Sequence, residues 1–214
     1  MVKTYLIFCD GLKESFERIY NEMPESRRKK IDSFRFEPDR LLSLGAGHLI
    51  KKYVGNEDEM TVGKNGKLCA DGVHFNVSHS GNAAILSVCE SEVGCDIEMI
   101  KDNNSMRIAD RFFFDDEYRL LENETDEKKR RELFFRLWTL KESFMKATGE
   151  GFTLALDSFS VNPTGGSITV KQSYSDREYC FKEYKIKNYR LAVCTEGDND
   201  FADEIEIEKV PTER

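Results

Sequence analysis

Long apolar runs are missing from this chain of 214 residues. Its most apolar stretches, such as Tyr5–Cys9, are far shorter than the roughly 20 residues of a membrane-spanning helix, and too short for a signal-peptide core. A net positive charge is missing as well, since the formal net charge is −8. We therefore expect a cytoplasmic protein that binds neither membrane nor nucleic acid, although a local basic patch could still bind phosphate.

Closely spaced cysteine pairs are also absent. None of the six cysteines stands in a Cys-x-x-Cys pattern, and most lie in apolar stretches that read as strands. This usage favours buried free thiols in a reducing compartment over disulfides or a zinc site.

What is present is a globular composition, with 39% hydrophobic and 34% charged residues. Strand-like alternation and helical periodicity predict an α+β fold. Helices are predicted over Arg40–Tyr53, with Asp39 as the N-cap, and over Met106–Glu122. A further helix is predicted over Leu133–Thr148, after a charged link.

Two segments resemble each other weakly. "RLLSLGAGHLIKKYVG" begins at Arg40 and "RLWTLKESFMKATGEG" begins at Arg136, and in each Arg-Leu-x-(Ser/Thr)-Leu opens a helix. This echo predicts two similar α+β halves related by a pseudo-twofold axis, with the active site at their seam, in a monomeric chain. The polar stretch Lys101–Ser105 is the best boundary, giving an N-terminal half over 1–101 and a C-terminal half over 102–214.

The stretch "LWTLKESFMK" places Lys141 in the middle of an apolar helix face. An unpaired charge there costs several kcal/mol, so Lys141 needs a partner, which a bound anion or a metal site would supply. The alternative is a solvated Glu142–Lys146 pair at i,i+4, worth about 0.3–0.5 kcal/mol. That alternative accounts for Glu142 but leaves Lys141 unexplained.

The stretch "VGCDIE" brings two carboxylates together. In a strand, Asp96 and Glu98 point to the same face with Cβ atoms roughly 7 Å apart, and Cys95 points to the other face. Adjacent carboxylates repel each other unless a cation or a proton lies between them, and such hard oxygen ligands suit Mg²⁺. The alternative is an ordinary exposed acidic strand face.

The stretch "FNVSHSG" offers an anion contact. His79 follows a short alternating strand and leads into a turn, and Ser78 precedes it. Imidazole, hydroxyl and turn amides are good donors to phosphate. The alternative is a turn histidine without a role.

Together these stretches resemble the 4′-phosphopantetheinyl transferases, in particular the long single-chain type that activates surfactin synthetase. The family pattern is matched by Gly94–Asp96 and by Trp138–Lys146, with Cys95 in place of the usual valine or isoleucine. "RFFFDDEY" and "LALDSFSV" extend the resemblance, which covers about Phe75 to Val161.

The resemblance implies a reaction. The phosphopantetheine arm of coenzyme A is transferred to a serine of an apo acyl or peptidyl carrier protein, and adenosine 3′,5′-bisphosphate is released. Mg²⁺, or alternatively Mn²⁺, would be held by Asp96, Glu98 and Glu142. Glu142 would also remove the serine proton, directly or through a water.

The resemblance also implies cationic contacts to coenzyme A. Lys141 and Lys146 would meet phosphate or leaving-group charge, which would explain a lysine on the apolar face. The other implied contacts are hydroxyl-bearing or basic: Ser78, His79, Arg40, Lys29 and Lys67. A further basic position of the family falls on Ser26 here, so the "RRKK" run is expected to substitute from a shifted register.

An acidic carrier protein would gain no long-range attraction from an acidic enzyme. Docking is therefore expected on a local patch with a basic rim, for which Phe112–Phe114 and Lys128–Arg131 are candidates. The alternative is that Phe112–Phe114 belong to the buried face of a helix and that Lys128–Arg131 are part of a solvated link.

Other functions remain open from the residues alone. A metal-dependent hydrolase that cleaves a nucleotide pyrophosphate would use the same carboxylates and lysines. A non-catalytic binder is disfavoured because all three carboxylates and both lysines are present. A structural module leaves Lys141 unexplained.

Overall fold

The computed structural model describes residues 1–102 and 105–210, so positions 103 and 104 of the predicted linker Lys101–Ser105 lie outside it. The helices are α1 Phe16–Asn21, α2 Glu25–Ser33, α3 Glu37–Tyr53, α4 Ser105–Phe112, α5 Asp115–Asn123 and α6 Glu127–Ala147. The strands are β1 Lys3–Phe8, β2 Thr61–Val62, β3 Leu68–Cys69, β4 His74–Ser80, β5 Ala83–Cys89, β6 Val93–Met99, β7 Ser160–Asn162, β8 Thr169–Lys171, β9 Tyr179–Ile186, β10 Tyr189–Glu196 and β11 Glu206–Ile207. Within the described ranges, no helix has the length and apolarity needed to cross a bilayer.

The same order of elements occurs twice along the chain. A leading strand, three helices, a short hairpin and a long hairpin form the unit from β1 to β5, and again the unit from β6 to β10. The sheets repeat as well, since β1-β5-β4 and β6-β10-β9 have equivalent antiparallel pairings, with β11 added parallel to β1. The predicted α+β class with two similar halves is confirmed.

Strand pairing divides the units between β5 and β6. The predicted division between residues 101 and 102 falls after β6, which separates β6 from β10, the strand to which it is hydrogen-bonded. The chain also returns at its end, because β11 pairs with β1 of the first unit. Contiguous sequence ranges therefore describe the two sheets only approximately.

The two sheets face each other and carry one long helix on each outer side. Strand β5 is buried on both faces, with Ala84 and Leu86 in the core below α3 and with Ile85 in the core between the sheets. This burial explains why "AAILSVC" is apolar throughout, whereas a strand with one wet face would alternate. Helix α6 packs on β6 and β10 of the second sheet.

The alternation of β6 positions the predicted carboxylates. Cys95 and Ile97 point into the core between the sheets, so Asp96 and Glu98 lie on the side of α6. Gly94 lets the helix approach closely, because a Cβ atom there would lie 2.1 Å from the carbonyl oxygen of Ser143. Asp96 is thereby held against the last turns of α6.

Three predicted helix boundaries were wrong. Helix α3 begins at Glu37, with Pro38 in its first turn, so Asp39 lies inside the helix and is not its N-cap. The helix predicted over Met106–Glu122 is divided into α4 and α5. The predicted charged link belongs to α6, because the Asp126 carboxylate caps that helix by accepting two backbone N–H groups of its first turn.

Candidate active site

A buried carboxylate and a lysine meet where β6 touches α6. Asp96, only 4% exposed, receives hydrogen bonds at Oδ1 from Lys146 Nζ at 2.6 Å and from Ser78 Oγ at 2.8 Å. Lys146 Nζ also lies 3.2 Å from Ser78 Oγ. The second oxygen, Asp96 Oδ2, is buried without a hydrogen-bond partner among the described residues, which marks it as a ligand-binding atom.

Two further carboxylates lie nearby. Ser80 Oγ donates to Glu98 Oε2 at 2.6 Å, and Glu142 lies one helical turn before Lys146 on α6. Burial is the main cause that raises the pKa of Glu142 to about 7; the charges of Asp96 and Glu98 act in the same direction and Lys146 opposes them. Burial also raises the pKa of Glu98. The site therefore holds more negative charge than one lysine offsets.

This donor set fits a divalent cation that is completed by other ligands. Within residues 1–102 and 105–210, no three His, Cys, Asp or Glu side chains converge closely enough to hold a metal ion by themselves. Mg²⁺, however, usually takes one or two carboxylates and fills its remaining positions with water and substrate phosphate. The unpartnered oxygen of Asp96 and the raised pKa of Glu142 both indicate that a cation would be stabilised here.

A cavity of about 330 Å³ adjoins this cluster. It lies between α2, α3, the edge strand β4, the β2–β3 turn and the end of α6. Leu42, Ala46 and Phe75 supply an apolar wall. Most of the ionisable side chains that line it are basic, namely Arg27, Lys30, Lys67, His79 and Lys146. Asp39 is the acidic one among the described lining residues. Its size and mixed lining suit a small organic ligand with anionic groups.

The basic side chains of the cavity perturb one another. The pKa of His79 is lowered by burial first, and then by the positive charges of Lys146 and Lys30. Burial and the neighbouring Arg27 charge lower the pKa of Lys30. Arg27 is neutralised by a buried bidentate pair with Glu57, at 2.7 and 2.6 Å. Lys30, His79 and Lys146 thus form a group of hydrogen-bond donors, and an anion bound among them would favour their protonated forms.

Two predicted coenzyme A contacts do not line this cavity. Lys29 extends into solvent, where its Nζ pairs with Glu25 Oε1 at 2.6 Å. Arg40 donates to Asp32 Oδ1 at 3.1 Å and lies over the Phe16 ring. Neither side chain lines the cavity, and their contacts to coenzyme A stay predictions.

The shifted "RRKK" register places other residues at the cavity. Arg27 and Lys30 are three positions apart, so they share the face of α2 that borders it. The resemblance to the family led us to expect basic side chains from this run, and Arg27 and Lys30 line the cavity, whereas Lys29 does not.

Lys141 is not at the cavity. Its ammonium group is fully buried and donates to Glu117 Oε1 at 2.8 Å, Glu117 Oε2 at 2.7 Å and the Phe159 carbonyl oxygen at 2.8 Å. The predicted phosphate contact was therefore wrong. The requirement for a partner was right, but the partner is a carboxylate on α5, which sequence reasoning missed because nothing in the local pattern links the two residues.

Lys67 and Ser78 are engaged within the protein. Lys67 lines the cavity, but its Nζ donates to Glu92 Oε2 at 2.7 Å and to the carbonyl oxygens of Val93 and Lys146, each at 3.3 Å. The Ser78 hydroxyl serves Asp96 and is not part of the cavity wall. Both side chains hold other residues of the site in place through these hydrogen bonds.

A family model and solved structures match parts of this chain. Residues 92–194 match the model of the 4′-phosphopantetheinyl transferase superfamily, a span that coincides with the unit from β6 to β10. Among solved structures, a holo-(acyl-carrier-protein) synthase from Bacillus anthracis in complex with CoA (3′,5′-ADP) superposes with a TM-score of 0.44 at 18% identity, covering 50% of this chain and 97% of that one.

Curated relatives extend over nearly the whole chain. The 4′-phosphopantetheinyl transferase Sfp of Bacillus subtilis (strain 168) is 32% identical over 95% of this chain and 96% of its own. The 4′-phosphopantetheinyl transferase ffp of Bacillus subtilis is 31% identical with the same coverage. On this match the chain belongs to the 4′-phosphopantetheinyl transferase superfamily, and within it to the long single-chain type.

Proposed function

We propose that this protein transfers the 4′-phosphopantetheine arm of coenzyme A to a serine of an apo carrier protein in an Mg²⁺-dependent reaction. It would act as a cytoplasmic monomer that serves carrier proteins of fatty acid, polyketide or nonribosomal peptide synthesis. The observation that carries the proposal is the position of Lys146, which lines the basic cavity and pairs with Asp96 beside the other carboxylates. The pyrophosphate group of a coenzyme A molecule bound in the cavity would lie next to this cluster.

The transfer is a displacement at phosphorus. The serine oxygen forms a bond to the phosphorus that bears the pantetheine arm, and the bond from that phosphorus to the bridging oxygen of the pyrophosphate breaks. The bridging oxygen leaves with adenosine 3′,5′-bisphosphate. Glu142 accepts the serine proton, directly or through a water.

Other residues of the site bind and orient. Lys30 and His79 would hold the 3′-phosphate of coenzyme A in the basic cavity, and Lys146 would stabilise charge that develops on the pyrophosphate. Asp96, Glu98 and Glu142 would hold the Mg²⁺ ion, which when bound neutralises the pyrophosphate and fixes it in place. Ser78 and Ser80 orient two of these carboxylates through hydrogen bonds.

The carrier protein would dock near the start of α6. Of the predicted patch, Phe113 belongs to the core, whereas Phe112 is 39% exposed. The basic residues Lys128–Arg131 lie in the first turns of α6. We propose that Phe112 and this basic helix start contact the carrier, since a local basic patch is what an acidic partner would need.

The test is intact-mass spectrometry of apo carrier proteins after incubation with the protein, coenzyme A and Mg²⁺. We expect each accepted carrier to gain one phosphopantetheine group. A pyrophosphate hydrolase would instead release adenosine 3′,5′-bisphosphate from coenzyme A without a carrier, and that result would replace the proposal by the alternative.

Binding of the 3′-phosphate is tested with matched lysine variants. Lys30→Ala should narrow the preference for coenzyme A over 3′-dephospho-coenzyme A, because it removes a contact that only one substrate makes. Lys29→Ala is the control, since that side chain pairs with Glu25 in solvent and should leave the preference unchanged. Equal behaviour of the two variants would contradict the placement of the phosphate.

A further inference from the structure

The short hairpin of the first unit reaches the end of α6 in the second unit. Strands β2 and β3 are joined by a turn over Lys64–Gly66. Within it, Asn65 has a left-handed backbone conformation, with φ 56° and ψ 24°. Asparagine tolerates this conformation better than most residues, and glycine tolerates it freely.

The Asn65 amide holds the turn that follows α6 in the other unit. Its Nδ2 donates to the carbonyl oxygen of Gly149 at 3.0 Å and to that of Glu150 at 2.8 Å. These carbonyls belong to the turn that follows Ala147, the last helical residue, and a hydrogen-bond donor is favourable near this negative end of the helix. Both amide protons are thereby used within the protein.

A second contact from the same hairpin holds the same turn of α6. Lys67 Nζ donates to the backbone carbonyl oxygen of Lys146 at 3.3 Å. The side chain of Lys146 forms the ion pair with Asp96. The hairpin therefore holds the main chain of the residue whose side chain enters the proposed reaction site.

The hairpin and the end of α6 together form one wall of the cavity. Asn65, Gly66 and Lys67 line it from the first unit, and Gly149 and Gly151 line it from the second. Hydrogen bonds from Asn65 and Lys67 join the two parts of this wall. Occupation of the cavity and the placement of α6 are thus physically connected.

We propose that Asn65 is a positioning residue for the transfer reaction, a role that rests on the function proposed above. By holding the carbonyls that follow α6, it fixes Glu142 and Lys146 relative to coenzyme A in the cavity. Its amide acts on the helix and not on the reacting atoms.

The variants separate the amide from the backbone. Asn65→Gly keeps the left-handed conformation without strain and removes only the amide. Asn65→Asp keeps the size of the side chain but places a carboxylate against two carbonyl oxygens, so it cannot donate to them. Asn56→Gly is the control, because the Asn56 amide forms its hydrogen bonds within an exposed turn of the first unit, away from α6, donating to Glu59 Oε1 and accepting from Asp58 N.

Two measurements are made on each variant: steady-state transfer to an apo carrier protein, and calorimetric titration with adenosine 3′,5′-bisphosphate. For Asn65→Gly and Asn65→Asp we expect kcat to fall about tenfold or more, equivalent to about 1.4 kcal/mol of transition-state stabilisation. The Kd of the bisphosphate should stay within about threefold, because its own contacts remain. Asn56→Gly should match the wild type in both.

Other outcomes overturn the inference. A higher Kd with unchanged kcat would make Asn65 an ordinary ligand contact, and unchanged values for both would leave it without a positioning role. A lower melting temperature with normal kcat for the folded protein would reduce it to a structural cap. A wild-type protein that transfers nothing would refute the proposed function itself, whereas an active wild type with equally active Asn65 variants would refute only the role of Asn65.

Discussion

Replacing Lys141 by methionine tests the buried ion pair between α5 and α6. Lys141 and Glu117 side chains are both 0% exposed, and all three ammonium protons are donated to protein oxygens. In Lys141→Met, Glu117 keeps its backbone donors, Val161 N at 2.6 Å and Phe114 N at 3.0 Å, but has no cation. Removing one partner of a buried pair costs about 3–5 kcal/mol, and the remaining donors favour the lower end.

We therefore expect Lys141→Met to lose about 3 kcal/mol of unfolding free energy. For a chain of this length that corresponds to a fall of roughly 6–12 °C in Tm. Urea unfolding at fixed pH, followed by tryptophan fluorescence and circular dichroism, measures the difference. The double variant Lys141→Met/Glu117→Gln should recover part of it, because an amide leaves no unpaired charge and its one oxygen still accepts from one of the two backbone N–H groups.

The loss should also depend on pH. Burial raises the pKa of Glu117, and without Lys141 only the backbone N–H groups of Val161 and Phe114 oppose that shift. A carboxyl whose pKa is higher in the folded than in the unfolded state contributes stability below its unfolded pKa, and this contribution is lost as pH rises through the folded value. The stability deficit of Lys141→Met should therefore grow as the pH rises from about 5 to about 8. A variant as stable as the wild type at pH 8 would refute the assignment of Lys141 to a structural pair.

Two further predictions concern the carboxylates of the site, and a third concerns the packing of β6 against α6. The pKa of Glu142 is raised to about 7. Metal-free wild type should therefore lose stability relative to Glu142→Gln as the pH rises from about 5 to about 8, measured in parallel urea titrations. A stability difference that does not change with pH would contradict the raised pKa. A chelator should abolish transfer and Mg²⁺ or Mn²⁺ should restore it, with Asp96→Ala inactive but folded by circular dichroism; full activity in chelator would exclude a metal role. Gly94→Ala should cost about 2 kcal/mol in thermal or urea unfolding, because its Cβ atom would lie 2.1 Å from the Ser143 carbonyl oxygen and 2.3 Å from Ala147 N; normal stability would mean that α6 lies farther from β6.

Short-range periodicity accounts for what the sequence predicted well. The alternation of β6 predicted that Asp96 and Glu98 share a face, and the structure places both toward α6, away from Cys95 and Ile97. Side-chain direction in a strand follows from backbone geometry alone, so no distant residue is needed to infer it. The two-unit architecture could be predicted as well, because each long helix contains the similar segment Arg-Leu-x-(Ser/Thr)-Leu, although neither helix begins there.

The rotation of each helix about its axis could not be predicted from a charged sequence. In "SRRKK", four adjacent residues are all basic, and the sequence comparison favoured Lys29. Burial of Arg27 and Ile31 against α3 sets the rotation of α2, which turns Lys30 toward the cavity and Lys29 into solvent. The spacing of apolar residues would predict this rotation only if the sequence also showed that Arg27 is buried. Arg27 is buried because it pairs with Glu57, which lies 30 residues away.

The sequence by itself determined the family, the α+β class, and the local placement of Asp96, Glu98, Glu142 and Lys146 on one strand and one helix. Tertiary structure alone decided which charges meet. Lys141 required a partner by its position on an apolar face, yet only the packing of α5 against α6 brings Glu117 to it, 24 residues away. Helical and strand directions are properties of the local backbone, whereas an ion pair between elements depends on how their buried faces pack, and that is settled only when the whole core has formed.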